Sequence, residues 1–162
     1  MGAEARTLTR FAVADYAAVQ QLLARYCWCA DTGDTAGWLA LWTEDGTLKG
    51  IGDQPIVGHE ALRAIPEGAA SRPVPAGLRH LFGSLVCEYE DTPDRARARY
   101  YNLVTTWFGT GELSVMAICE ARLVRHDQDW LIQENTMTLL PVRESAPAGA
   151  AEPGSNGLAA EP

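Results

Sequence analysis

"DYAAVQQLLARYCWCADTGD", residues 15–34, decides how the rest of the chain is read. Val19, Leu22, Leu23, Tyr26 and Ala30 recur at helical spacing, so the stretch predicts an amphipathic helix over 15–30 with Asp15 as its N-cap. The helix then runs into Asp31 and the turn residues Thr32 and Gly33. A carboxylate there faces the negative end of the helix dipole, which is locally unfavourable. Two readings of Asp31 stand side by side. It is a turn residue whose side chain satisfies local backbone, or it is a carboxylate held for use.

Working outward, Asp34 caps a short second helix, "TAGWLALW". "EDG", residues 44–46, turns into a brief strand, "TLKGI", and "GHEALRAIPEGA" predicts a third short helix between Gly58 and Pro66. From residue 77 the character changes. "GLRHLFGSLVCEYED", "RARARYYNLVTTWFGTG", "ELSVMAICEARLVRHD" and "DWLIQENTMTLLPV" are long strand candidates, separated by "DTPD", "GTG" and "HDQD". Connections this short make antiparallel neighbours. Helices followed by a meander give an α+β fold with the helices on one sheet face. Residues 1–12 read as a loose leader, 13–143 as one domain, and 144–162, rich in Ala, Gly, Pro and Glu, as a disordered tail.

The 162 residues suit one domain with a substantial core. A net charge of −8 argues against nucleic acid and against an anionic membrane surface. No apolar run reaches membrane-spanning length, "MGAEARTLTR" lacks the apolar core of a signal peptide, and the expected location is cytoplasmic. Cys27, Cys29, Cys87 and Cys119 have neither disulfide-framework nor zinc spacing and read as buried reduced thiols. No metal site is expected, and the phosphate-loop, dinucleotide, serine-hydrolase and zinc-protease motifs are missing.

Strand parity supplies further candidates. In "RARARYYN", Arg95, Arg97 and Arg99 want solvent, so Tyr100 and Asn102 share the opposite face with Val104. If that face lines a pocket, Asn102 and Tyr100 are substrate contacts. The same parity puts Glu134 on the face of Trp130 and Ile132, as a second pocket carboxylate or as a sheet-surface charge. Trp28, on the first helix, is a further substrate-contact candidate.

"DYAAVQQLLARYCWCADTGDTAGWLALWTEDG", "GHEALRA", "RHLFGSLV" and "RLVRHDQDWLI", in that order, resemble the SnoaL-like and scytalone-dehydratase-like branch of the nuclear transport factor 2-like superfamily. The resemblance implies a cone: a curved antiparallel sheet and about three N-terminal helices around an apolar pocket. It implies proton-transfer chemistry without metal or organic cofactor, on a small-molecule substrate, and a homodimer. It places Asp31 at the end of the first helix and His80 at the start of a long strand as a hydrogen-bonded catalytic pair, with Tyr26 as a pocket hydroxyl. This sequence departs from scytalone dehydratase in having Ala30 before the Asp and no histidine in "YYNLVTTWF". The expected function is a cyclase, dehydratase or isomerase acting on a polyketide- or terpenoid-like substrate in bacterial secondary metabolism. The alternatives are a non-catalytic binding or dimerisation module, and epoxide opening by Asp31 with Glu134.

Overall fold

The computed structural model describes residues 10–71, 77–108 and 111–140. The leader up to residue 9 and the tail with its expected boundary at 143/144 lie outside the described residues.

Helix α1 spans Val13–Thr32 and ends where the sequence tells it to stop. Gly33 adopts φ 77°, a left-handed cap that donates its N–H to the Cys29 carbonyl. Asp34 then caps α2, Thr35–Leu39, by accepting the Gly37 N–H at 2.9 Å. The start of α1 differs from expectation: its N-cap is Ala12, with no side-chain cap. Asp15 lies inside the first turn and accepts hydrogen bonds from Tyr89, Arg125 (2.8 Å) and Trp130 (3.3 Å). Its carboxylate ties three distant strand groups to the helix instead of capping it.

Strand β1 runs Trp42–Lys49, so the second helix is shorter and the strand earlier than expected. The cause is tertiary. The Leu41 carbonyl accepts the Ile132 N–H at 2.8 Å, and Trp42 packs its ring near Tyr26 and Trp38, with centroids 6.1 and 5.7 Å away. A two-residue strand β2, Ile56–Val57, pairs with β1. The expected third helix forms as two pieces, α3 (Gly58–Leu62) and α4 (Ala64–Ala70). Pro66 has no N–H to give the Leu62 carbonyl, which is where the helix interrupts.

The meander is β3 (Leu78–Tyr89), β4 (Arg95–Thr106), β5 (Glu112–His126) and β6 (Asp129–Leu139). The six strands form one sheet in the order β2-β1-β6-β5-β4-β3, antiparallel throughout except that β1 runs parallel to β6. The sheet curls without closing, and β3 is left as an edge against which α1 packs. Even-numbered residues of β4 face inward: Ala96, Ala98, Tyr100, Asn102 and Val104 are buried, while Arg95, Arg99 and Tyr101 are exposed. On β6 the parity breaks. Arg122 pairs with Glu134 but Leu123 pairs with Ile132, so Gln133 is an extra residue, a β-bulge. Trp130 and Ile132 face inward before it, and Asn135 and Met137 after it. Glu134, expected beside Trp130 and Ile132, is thereby turned to the other face.

Candidate active site

The last turn of α1 and the first residues of β3 meet at the edge of the sheet. Asp31 Oδ1 lies 2.6 Å from His80 Nδ1, and its Oδ2 accepts the His80 backbone N–H at 3.0 Å. Both carboxylate oxygens are thus committed to one residue. The backbone contact has a topological cause. β3 has no strand beyond it, so the His80 N–H lacks a ladder partner and the helix end supplies one. This bonding also resolves the tension at Asp31. An anion at a helix C-terminus costs about 0.3–1 kcal/mol, whereas hydrogen bonds to a charged group contribute about 1.5–3 kcal/mol each. The side chains of Asp31 and His80 are 9% and 18% exposed, largely withdrawn from water but reachable. With Nδ1 bonded to a carboxylate, the ring carries its proton there and Nε2 is the nitrogen left for a ligand.

The pair borders a cavity of about 430 Å³ between α4, the ends of β3–β6 and α1. Ile65, Leu78, Val104, Val115, Met137 and Leu139 are among the apolar residues of its wall. Among the described lining residues, the side-chain polar groups are those of Asp31, His80 and Ser114. An apolar cavity of this size with a few convergent polar groups has the composition of a small-molecule site.

The other sequence candidates are dispersed. Tyr26 does not line this cavity. It is 4% exposed and packed 4.6 Å, ring to ring, from Trp38; burial, with the neighbouring Cys119 and Cys27, holds its hydroxyl well above the usual phenol range. Tyr100 and Asn102 face the inside of the cone, as parity requires, but lie beneath Val104 and are not among the lining residues. The Tyr100 hydroxyl accepts the Asn135 amide at 3.0 Å, and burial raises it well above its ordinary value. Asn102 Oδ1 has no protein partner. Trp28 is 71% exposed, on the outer side of the pair. Glu134 forms an ion pair with Lys49 at 2.6 Å, and that hydrogen bond holds its carboxyl below the usual range. The carboxylate pair read for epoxide opening is not assembled.

Two residues escaped the sequence reading. Asn135 reaches the interior because of the Gln133 bulge, and Ser114 reaches the cavity because β4 and β5 shift register between Val104 and Thr105. Neither bulge has a glycine or proline to announce it. The cysteines are unbridged, and burial pushes Cys27 up to about 12 and Cys87 and Cys119 up to about 11, so these thiols are protonated at neutral pH. Among the described residues, no three His, Cys, Asp or Glu side chains converge on a metal-sized site, and no helix is long and apolar enough to cross a membrane.

A curled, unclosed sheet packed under helices is the nuclear transport factor 2-like, or cystatin-like, fold. The chain belongs to the SnoaL-like domain family, whose model matches residues 12–136. That family includes polyketide cyclases and dehydratases. Solved structures agree. A protein of unknown function from Mycobacterium tuberculosis superposes with a TM-score of 0.69 at 29% identity, covering 79% of this chain and 73% of its own. A nuclear transport factor 2-like protein with a cystatin-like fold from Novosphingobium aromaticivorans gives 0.69 at 26%, covering 83% and 85%. The protein Aln2 from a Streptomyces species gives 0.70 at 24%, covering 80% and 93%. No curated protein matches the sequence.

Proposed function

We propose that the chain is a cofactor-independent enzyme that transfers a proton on an apolar, oxygen-bearing small molecule: a cyclase, dehydratase or isomerase on a polyketide- or terpenoid-like substrate of bacterial secondary metabolism. The observation that carries this reading is the commitment of both Asp31 oxygens to His80 beside an otherwise apolar cavity. It supports the following roles. Asp31 fixes the ring and its tautomer, and His80 Nε2 is the acid/base. Nε2 takes the proton from a carbon next to a carbonyl, and the C–H electron pair becomes an enolate. The imidazolium that forms sits against the Asp31 carboxylate. The proton then leaves Nε2 for a departing hydroxyl, for a different carbon, or for the oxygen of a second carbonyl that the enolate carbon has attacked. These are dehydration, isomerisation and cyclisation respectively. Tyr26, buried under the aromatic core, has no part in this scheme. Ser114 is the hydroxyl placed to hold a second substrate oxygen.

A homodimer belongs to the same reading. On the outer sheet face Leu103 lies beside Met116 and Tyr101 beside Ile118, and of these Tyr101, Met116 and Ile118 are exposed. Next to them Arg97, Arg99 and Arg122 alternate with Glu88, Glu90 and Glu120. Two copies of an acidic chain can meet on such a balanced face without like-charge repulsion.

The test needs no knowledge of the natural substrate. Incubated in deuterium oxide with 2-tetralone, the protein should speed α-deuteration, and His80→Gln should lose about a hundredfold of that acceleration. An exchange rate in His80→Gln equal to that of the unaltered protein would refute the assignment.

A further inference from the structure

Asp31 and His80 border space on two sides. Beyond the cavity they also floor an outer groove of about 750 Å³, walled by Trp28, Arg79, Leu81, Thr105 and Trp107. The reason is their place in the topology. β3 is the free edge of an unclosed sheet, and α1 lies along it, so the pair plugs the seam where the inside and the outside of the cone meet.

The groove's aromatic residues are exposed and yet held. Trp107 is 49% exposed. Its Nε1–H donates to Thr105 Oγ1 at 2.9 Å, its backbone N–H donates to the Gly77 carbonyl at 2.8 Å, and its ring rests on Gly111, where an added Cβ would come within 2.7 Å. Gly111, at φ +81°, is the residue type that permits this approach. A surface indole fixed in this way has already given up its rotamer freedom, which lowers what a ligand must spend on ordering it. Trp28, 71% exposed, presents a second indole from α1 to the same groove.

Two indole faces accept planar rings by stacking, or cations by their quadrupole. The charges in the wall separate the two. Arg79 lies in the groove wall as a cation whose guanidinium donates to the Leu78 carbonyl at 2.6 Å, and the Asp31 carboxylate is turned to His80 by both oxygens. We propose that this outer groove is a second binding subsite, for a planar aromatic ring system that is neutral or anionic, and that such a ring approaches the Asp31–His80 pair from the side opposite the apolar cavity. Assigning that ring to the same molecule on which His80 acts rests on the proposed function, whereas the subsite itself does not.

Three probes of one shape test it: 2-naphthol, 2-naphthoate and 2-naphthylmethylammonium, titrated into the full chain while the indole N–H signals are followed by NMR. The alcohol and the carboxylate should shift the Trp28 and Trp107 signals. Trp28→Ala and Trp107→Ala should each weaken their binding by about three- to tenfold, and the cation should bind about tenfold more weakly than the carboxylate. If Trp107→Ala fails to fold, the signals of the unaltered protein still decide. Overturning results are indole signals that stay in place with all three probes, a preference for the cation, or signals that move with protein concentration alone while the probes are excluded, which would put a second copy in the groove. Failure here and failure of the proposed function are separable. Probe binding with unchanged α-deuteration in His80→Gln removes the function and keeps the subsite. Lost deuteration with unmoved indoles does the reverse.

Discussion

At the scale of single residues, the distinction that matters is between polar groups that reach the cavity and those that serve the core. Tyr26 and Glu134 were candidates by resemblance and by parity, and the structure puts one beneath the aromatic core and the other in an ion pair with Lys49. Tyr26→Phe and Glu134→Gln should therefore each leave the 2-tetralone exchange rate within about threefold of the unaltered protein, far from the hundredfold scale of a positioned acid/base. A loss near a hundredfold in either would return that residue to the chemistry. Asp31 stood out as a carboxylate at the wrong end of a dipole, with a turn role open beside a functional one; its pairing with His80 came only from the family resemblance. Asn135 and Ser114 were not, since a polar residue on a strand says nothing of its direction until the register is known.

At the scale of elements, alternation found all four long strands, and "DTGD" gave both the stop of α1 and the start of α2. What alternation could not find was the bulges, because an extra residue such as Gln133 leaves composition unchanged while reversing every side chain after it. The boundaries that moved, at β1 and between α3 and α4, moved for partners distant in sequence or for a missing N–H at Pro66. The turn after β1 carries a sharper constraint. Gly50 has φ +87°, and a Cβ there would lie 1.8 Å from the Met137 carbonyl oxygen. Gly50→Ala should cost about 2–4 kcal/mol by denaturant titration, from backbone strain and the displaced β6 carbonyl. Because Met137 lines the cavity, exchange activity should fall with it. A variant as stable as the unaltered chain would show that this approach is looser than drawn.

At the scale of the whole molecule, Asp15 joins the start of α1 to β3, β5 and β6. The hydrogen bond from Arg125, followed by those from Tyr89 and Trp130, outweighs desolvation and holds its carboxyl below the ordinary value of 3.8. A carboxyl depressed in the folded state stabilises fully above its unfolded pKa, and that stabilisation is lost as the pH falls through the lower folded value. Asp15→Asn should lower stability by about 2 kcal/mol at pH 7, and the gap to the unaltered protein should narrow below about pH 4. A gap independent of pH in chemical denaturation would mean that packing, not charge, is what Asp15 supplies. For the outer face, sedimentation should give a dimer that Ile118→Asp converts to monomer. A monomeric unaltered chain would refute that interface.

The most direct test of the central claim, that Asp31 and His80 act as one unit, is a double-mutant cycle on the α-deuteration of 2-tetralone. Asp31→Asn and His80→Ala should each lower the rate by about a hundredfold, with the double variant little slower than either, as groups acting together are non-additive. Losses that multiply in the double variant, or an Asp31→Asn that exchanges as fast as the unaltered protein, would contradict it.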